Sequence, residues 1–321
     1  MAEARARESR AVAYIALIVV CVLWGTTYLA IRISIETIPP FYMMAFRYTI
    51  SGSVLLVLCR FSGLKIPRGR ELIQTSGCGV LCIGVGNGLL VVAETWVPSG
   101  LSALVYTTAA FWMVGLDTIL PGGKKPPAVS LRGLLVGMAG VMILILPAAW
   151  KEHFQGATWS GFLLLQLSVA GWAAGALLQK RVRVEATPLV SGAVQQLAAG
   201  LAGLFPALAF ERLPKTVSLR SELAFVYLIV FGAIIGFSCF IYAVAKLPVA
   251  IMSVYTFVNP VVAVILGWLV FHEPFGHREL IAMLVIFIGI AIVRIGERGA
   301  ERGMGAAGES IGEMETVGPE P

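Results

Sequence analysis

Charged residues are scarce in this chain. They make up 13% of its 321 residues, against about 25% in soluble globular domains. A soluble domain of this length needs polar surface to cover its core, so the composition excludes a large soluble domain. The residues that take the place of charge are apolar, since 58% are hydrophobic and the mean hydropathy is +0.87. These values predict a membrane protein that crosses the bilayer several times.

Cysteines and histidines are also few, and their positions argue against two further classes of protein. All five cysteines fall in or beside apolar segments, where an odd number of thiols predicts no disulfide framework. The three histidines lie in predicted loops, and HEPFGH at 272–277 has the wrong spacing for a zinc protease motif. We therefore expect no metal site, no cofactor and no catalytic residue.

Apolar runs long enough to cross a bilayer recur along the whole chain. The connections between them are short and rich in proline, and none could link separate soluble domains. Residues 1–10 are predicted to form a cytoplasmic N-terminal segment, and 296–321, rich in Gly and Glu, a disordered cytoplasmic tail. The sequence predicts an all-α membrane protein with ten transmembrane helices, at about 11–34, 41–60, 72–96, 99–120, 131–149, 158–180, 188–210, 222–245, 248–271 and 277–295.

The few charges are distributed unequally between the two sides of the predicted bundle. With the N-terminus inside, 17 of the 24 Lys and Arg residues fall in inner segments, five in outer loops, and Arg32 and Arg47 within spans. Because cytoplasmic loops are enriched in Lys and Arg, we expect both termini to be cytoplasmic. Asp117, the only aspartate, lies near the inner end of its span and is predicted to pair with Lys124 or Lys125.

The second half of the sequence repeats the first at a nearly constant offset. Each half contains five predicted helices, 11–149 in the first repeat and 158–295 in the second, so the second copy enters the membrane from the opposite side. An inverted repeat of this kind is typical of secondary transporters, with the substrate site where the repeats meet. The matched positions, 148 to 150 residues apart, include Trp24 and Trp172, Gly52 and Gly200, Gly86 and Gly236, and Gly140 and Gly289.

Several segments resemble the EamA-type transporters of the drug/metabolite transporter superfamily. The resemblance covers about residues 11–296, and the run GNGLLVVAETWVPSG at 86–100, with ETIPP at 36–40, is most similar to the YedA-like branch. The resemblance implies ten helices in two five-helix EamA repeats. It also implies a transporter of the bacterial inner membrane that exports amino acids, other metabolites or drugs. The remaining similar segments are WGTTYLAIR (24–32), MMAFR (43–47) and NPVVAVILGWLVFHEP (259–274).

The last of these segments places Asn259 and Pro260 in the middle of the ninth span. Proline leaves a carbonyl without its donor in a helix, so we expect helix 9 to bend there beside a cavity. A kink that serves packing alone is the alternative. The residue matched to Pro260 is Ala110, and helix 4 is therefore predicted to be the straighter of the two.

Polar and aromatic side chains inside the spans are the candidate site residues, because polar groups are costly in hydrocarbon. Indole and phenol rings provide an apolar wall with a hydrogen-bonding tip, although core packing explains any single ring as well. The predicted substrate contacts are Trp24, Tyr28, Arg47, Tyr106, Trp172, Gln195, Tyr255 and Asn259.

Glu94 and Arg32 are candidates for proton coupling or gating, because both lie towards the outer ends of their spans. One interpretation is an ion-pair cluster with Glu36 and Arg47 that closes an outer vestibule. The other is that Glu94 takes up and releases a proton during transport.

These features predict a secondary transporter that carries a small-molecule substrate by alternating access through a central cavity. An exporter is expected, an importer or exchanger is the alternative, and a membrane scaffold acting through its tail is a third hypothesis. The excess positive charge lies in loops beside the bilayer, so no nucleic-acid partner is expected. Proton coupling, and the choice between a monomer and a homodimer, stay open.

Overall fold

The computed structural model describes residues 2–97, 102, 105–121, 123, 125–151, 159–182, 184–271 and 276–316. The described residues form a bundle of helices joined by short loops, and no strand occurs among them. We number the helices α1 (Ala2–Ser34), α2 (Pro40–Phe61), α3 (Gly69–Ala93), α4 (Ala109–Ile119), α5 (Ala128–Lys151), α6 (Trp159–Arg181), α7 (Pro188–Phe210), α8 (Leu219–Lys246), α9 (two segments, Val249–Ser253 and Tyr255–Phe271) and α10 (His277–Thr316).

The lengths of these helices suit a bilayer. Among the described residues, seven helices are long and apolar enough to cross a membrane. The other three apolar helices are shorter and correspond to α4, to the described part of α5 and to α9. The predicted fold class, an all-α membrane protein, is therefore confirmed. We call the end of the bundle where α3 finishes the Glu94 end, and the end where α4 finishes the Asp117 end.

Local sequence sets the boundaries of α2. Pro40 occupies the first turn, where its fixed φ suits a helix and its missing N–H is not needed. The next two backbone N–H groups donate to the two carboxylate oxygens of Glu211, each at 3.0 Å, which places a negative charge at the helix N-terminus. At the other end Gly63 adopts a φ of 72°, and the N–H of Leu64 bonds back to the carbonyl of Cys59 at 3.0 Å. This is a glycine-terminated C-cap.

The two repeats meet along α2 and α7, which cross at matched glycines. A Cβ atom on Gly52 would lie 2.4 Å from the backbone nitrogen of Leu197, and one on Gly200 would lie 2.3 Å from that of Thr49. Leu197 corresponds to Thr49 at the offset of 148 that relates the glycines, so the same contact is made once from each repeat. Small residues of this kind allow membrane helices to approach closely.

Helices α5 and α10 pack in the same reciprocal way. A Cβ on Gly140 would meet the side chain of Ile286 at 2.7 Å, and one on Gly289 would lie 2.4 Å from the nitrogen of Gly137. Gly140 matches Gly289, and Gly137 matches Ile286, at the single offset of 149. Both pairs of helices therefore support the repeat that the sequence predicts.

The middle of α3 and the middle of α8 are wound as π-helix, at Val80–Asn87 and Leu228–Phe237. The two segments are related by the repeat. A π-helical turn is wider than an α-helical one and occurs frequently at functional sites. Neither segment is among the features predicted from the sequence.

Each π-helical segment faces the matched tryptophan of the other repeat. A Cβ on Gly86 would lie 2.9 Å from the Cα of Trp172, and one on Gly236 would lie 2.6 Å from the indole nitrogen of Trp24. Any larger side chain at either glycine would displace the tryptophan. The reciprocal contact fixes the two indoles near the middle of α1 and α6.

Helix 4 is expected to be straighter than helix 9, but a turn interrupts the helical structure in both spans. A turn at residues 107–108 precedes α4, and Val254 separates the two segments of α9. In both places a hydroxyl bonds to the carbonyl three residues earlier, from Thr108 to Val105 at 2.7 Å and from Ser253 to Ala250 at 2.9 Å. Such bonds compete with the regular helix, so the fourth span is interrupted before α4 without a proline. The interruption of both spans gives no support to the prediction that helix 4 is the straighter of the two.

The last helix is longer than the sequence suggests. α10 runs to Thr316 and so continues through most of 296–321, for which disorder is predicted. The segment contains Ala, Glu, Arg and Met, which favour helix, between glycines that weaken it.

Candidate functional site

A cavity of about 40 Å³ lies where the two repeats meet. Its wall contains seven of the eight predicted substrate contacts, all except Gln195, and draws on residues from both repeats. Side chains that are far apart in sequence therefore face one space. The lining residues are Trp24, Thr27, Tyr28, Ile31, Arg47, Tyr48, Asn87, Leu90, Tyr106, Trp172, Tyr255 and Asn259.

Four rings form an aromatic cluster on one side of this cavity: Trp24, Trp172, Phe240 and Tyr255. The two indoles lie edge to face, with 5.2 Å between ring centroids and 78° between planes, an arrangement that aromatic rings favour. Phe240 lies 4.9 Å from Trp24 and 5.1 Å from Trp172. The indole nitrogen of Trp172 donates to the hydroxyl of Tyr255 at 2.8 Å. The cluster therefore links α1, α6, α8 and α9.

The π-helical segments supply carbonyl acceptors to cavity side chains. The carbonyl of Gly232 accepts from the indole nitrogen of Trp24 at 3.1 Å. The carbonyl of Gly86 accepts from the hydroxyl of Tyr106 at 3.2 Å and also from Ser168. A π-helical turn disrupts the regular backbone ladder, which leaves such carbonyls to bind side chains. These bonds fix the orientation of one ring from each side of the cavity.

Arg47 is buried in the cavity wall without a hydrogen-bond partner on two of its nitrogens. Its side chain is 3% exposed, and Nε and Nη1 bond to no described residue. The guanidinium lies 4.8 Å from the ring centroid of Tyr48, and a Cβ on Gly232 would be 2.6 Å from Nη2. An arginine at the centre of a spanning helix costs about 2.5–3.5 kcal/mol, and each unpaired buried donor costs about 1–3 kcal/mol.

Gln195, which matches Arg47 in the other repeat, has a different environment. Its amide nitrogen donates to Oε1 of Gln179 at 2.7 Å, and it is not among the described residues of the cavity wall. The reason is the close approach of α3, since a Cβ on Gly79 would lie 2.4 Å from the Cα of Gln195. Its position gives no support to the prediction that Gln195 contacts the substrate.

The predicted ion-pair cluster at the Glu94 end is not formed by the described residues. Glu94 is 5% exposed, and neither carboxylate oxygen has a hydrogen-bond partner among them. Arg32 is exposed and makes no salt bridge with Glu94, although it is within electrostatic reach. Glu36 instead lies 3.8 Å from Arg220, a partner in the first turn of α8 that lies far away in sequence. Glu94 itself is near two cavity tyrosines.

Asp117 pairs with Arg181, a residue that is distant in sequence. Arg181, at the end of α6, donates to its carboxylate at 2.6 Å and to its backbone carbonyl at 3.1 Å. Both side chains are about four-fifths buried, with 18% and 20% exposure. Lys124 lies outside the described residues. The planar guanidinium can reach both acceptors at once, so Arg181 is a partner of Asp117.

Five residues of the cavity wall are not among the predicted contacts, namely Thr27, Ile31, Tyr48, Asn87 and Leu90. For two of them the sequence contained a pattern. Thr27 and Ile31 follow Trp24 by three and seven residues and therefore share its helix face. The amide of Asn259, in the orientation that satisfies its neighbours, donates to the carbonyl of Cys21 at 3.2 Å. It therefore ties α9 to α1. No group of three or more metal-binding side chains occurs in the described part of the chain.

Comparison with known proteins gives consistent matches over most of the chain. The model of the EamA-like transporter family matches residues 11–146 and 159–295. The chain is 32% identical over 284 residues to the uncharacterized inner membrane transporter YedA of Escherichia coli, which covers 88% of this chain and 90% of that protein. Protein PecM of Dickeya dadantii is 26% identical over 277 residues, with 85% and 89% covered. A crystal structure of a protein 21% identical has a TM-score of 0.73 and covers 89% of this chain and 98% of that one, which shows a shared fold.

Proposed function

The chain belongs to the EamA-like transporter family, and from this membership and its cavity we propose how it acts as a membrane transporter. The substrate occupies the space between the two repeats, and the two repeats rock so that this space opens to each side in turn. The direction is export of small metabolites, amino acids or drugs across a bacterial inner membrane, the membrane in which the relative YedA is described as a transporter.

One observation supports this proposal above all: polar atoms without partners face an aromatic space made by both repeats. Besides Arg47, the amide oxygen of Asn87 is buried in the wall with no hydrogen-bond partner among the described residues. Buried polar groups in proteins are almost always bonded. A substrate that supplies the missing partners explains why these groups lie where they do.

The size of the cavity supports alternating access. A space of about 40 Å³ holds about three water molecules, at about 10–15 Å³ each, whereas pockets for small molecules measure about 300–1,000 Å³. The described space is therefore too small for such a molecule, and binding needs a wider one. Widening separates the rings of the aromatic cluster and breaks the bond between Trp172 and Tyr255.

The transport assay uses purified protein in liposomes and a panel of radiolabelled metabolites, amino acids and drugs. Trp172→Ala removes a ring of the aromatic cluster and should abolish flux of any substrate found. Trp112→Ala is the matched control, because Trp112 is exposed and bonds to Gln166 away from the cavity. If no compound moves under any gradient, or if the two variants lose flux equally, the cavity is not the route.

Glu94 supports proton coupling as the finer proposal. A carboxylate at the end of α3 that is buried, with no hydrogen-bond partner among the described residues, can be neutral in one conformation and charged in another, which is what coupling requires. Glu94→Gln should remove the flux driven by a pH gradient while leaving exchange of substrate across the membrane intact. An unchanged response to the gradient would reject Glu94 as the coupling group.

An importer or exchanger uses the same cavity and is the second candidate. The unequal distribution of Lys and Arg between the two sides favours a cytoplasmic Asp117 end. To decide between export and import, flux is measured separately in liposomes that hold the protein in each orientation. The orientation is selected by labelling a cysteine introduced at one terminus.

A further inference from the structure

Arg47 is the one charged side chain among the described residues that line the cavity. We infer that the substrate carries a single negative charge on a carboxylate and that Arg47 binds it. This inference rests on the proposed function, since it names the class of molecule that the cavity accepts.

The first argument is the unused hydrogen-bonding capacity of the guanidinium. Nε and Nη1, two donors of the planar fork, have no partner among the described residues. Nε and Nη1 lie on different edges of the guanidinium, so a carboxylate would bond to one of them and to Nη2 on the same edge, which is the usual paired geometry. The neighbouring ring of Tyr48, at 4.8 Å from Cζ, attracts the cation but cannot occupy those donors.

The second argument is that the space around the guanidinium is made by the fold. Gly232, in the π-helical segment of α8, leaves room for Nη2, because a Cβ there would be 2.6 Å away. The same glycine accepts the bond from Trp24 through its carbonyl. One residue therefore positions a ring of the aromatic cluster and admits the charged group beside it.

The third argument comes from the matched position. Gln195 has a protein partner at 2.7 Å, the amide of Gln179, so the repeat itself offers a way to satisfy a polar group on this helix face. Nε and Nη1 of Arg47 have no such hydrogen-bond partner among the described residues. A residue kept only for packing would need neither the charge nor the missing partner.

The chemistry of the wall defines the rest of the ligand. One buried cation neutralises one negative charge, so a monoanion fits a low-dielectric site better than a phosphate dianion does. The remaining lining residues are mainly aromatic and aliphatic, which suits an apolar or aromatic body. Glu94 is not among the described residues of the wall, so it gives no support to a cationic ligand. Binding of a cation is instead the result that would contradict the inference.

The test uses matched sets of compounds that differ only in charge. Each set has a carboxylic acid, its neutral amide and the corresponding amine: indole-3-acetate with indole-3-acetamide and tryptamine, 3-phenylpropionate with its amide and amine, and hexanoate with its amide and amine. Binding to purified wild-type protein is measured by thermal shift and by competition with a transported substrate. The acid should bind at least about tenfold more tightly than its amide, as expected for a charged hydrogen-bonded pair, and the amine least tightly.

Three variants complete the experiment. Arg47→Gln should bind acid and amide equally, and Arg47→Lys should retain part of the preference because it keeps the charge but not the fork. Arg60→Gln is the matched control, since Arg60 is exposed on the same helix, and it should keep the full preference. If Arg47→Gln does not fold, the comparison of acid with amide on the wild type still decides whether the protein prefers a carboxylate.

The outcomes separate this inference from the proposed function. If an amide or amine binds as tightly as its acid, or if no member of the three sets binds, the inference is overturned. Transport of an uncharged or cationic substrate through the cavity would also overturn it while leaving the transporter intact. Absence of any flux in liposomes would instead count against the proposed function.

Discussion

The reciprocal contact between α2 and α7 yields a prediction in which one chemical change has opposite effects at two sites. The change is glycine to alanine in a helix, which by itself stabilises a helix by about 0.5–1 kcal/mol. At Gly77 in α3 a Cβ would meet nothing within 4 Å. Gly77→Ala should therefore be neutral or slightly stabilising.

At Gly52 the same methyl group has no room. It would lie 2.4 Å from the backbone nitrogen of Leu197, well inside an ordinary contact, and backbone cannot rotate away as a side chain can. Overpacking of this kind costs about 1–3 kcal/mol. After the gain in helix propensity, we expect Gly52→Ala to be destabilised by about 1–2 kcal/mol relative to the wild type.

Thermal unfolding in one detergent, followed by tryptophan fluorescence, measures both variants side by side. Gly200→Ala should resemble Gly52→Ala, because its Cβ would be 2.3 Å from the nitrogen of Thr49. If Gly52→Ala unfolds at the same temperature as Gly77→Ala or above it, the helices do not cross at these glycines. The close approach of the two repeats would then be wrong.

Three further changes test other contacts. Gly232→Ala should leave the unfolding temperature nearly unchanged but weaken carboxylate binding, because the added methyl displaces the flexible end of Arg47 rather than the backbone; normal binding would contradict this. Trp172→Phe should keep the ring packing and lose the bond to Tyr255, which lowers the free energy of unfolding by about 1 kcal/mol in a chemical denaturation series. Asp117→Asn should lower it by about 1 kcal/mol or less at low salt and by less at high salt, since its partly exposed ion pair is screened; an equal loss at both salt concentrations would exclude that explanation.

The number of helices and the inverted repeat could be predicted because each depends on a pattern that local sequence carries. Apolar length predicts a membrane span, and a nearly constant offset links Trp24 to Trp172 whatever the detailed packing. The cavity wall could be predicted because polar and aromatic groups inside spans are few. Seven of the eight residues named on that basis line one space.

The features that were missed depend on contacts between distant segments. The winding of α3 and α8 into π-helix follows no periodicity in the sequence, and its only trace is the glycines at 86 and 236 that face the tryptophans. The pairing of Asp117 with Arg181 was missed because the two residues are distant in sequence. Gln195 was named as a polar group within a span, but the approach of α3 gives it surroundings different from those of Arg47.

The small volume of the cavity also bears on the membrane around it. A transporter that left a continuous column of water between its two faces would let protons leak and would discharge the potential on which the cell depends. Here the central space holds about three water molecules, and the aromatic cluster lies against it. If the space opens to only one side at a time, as the proposed mechanism requires, the bilayer stays electrically insulating throughout the cycle.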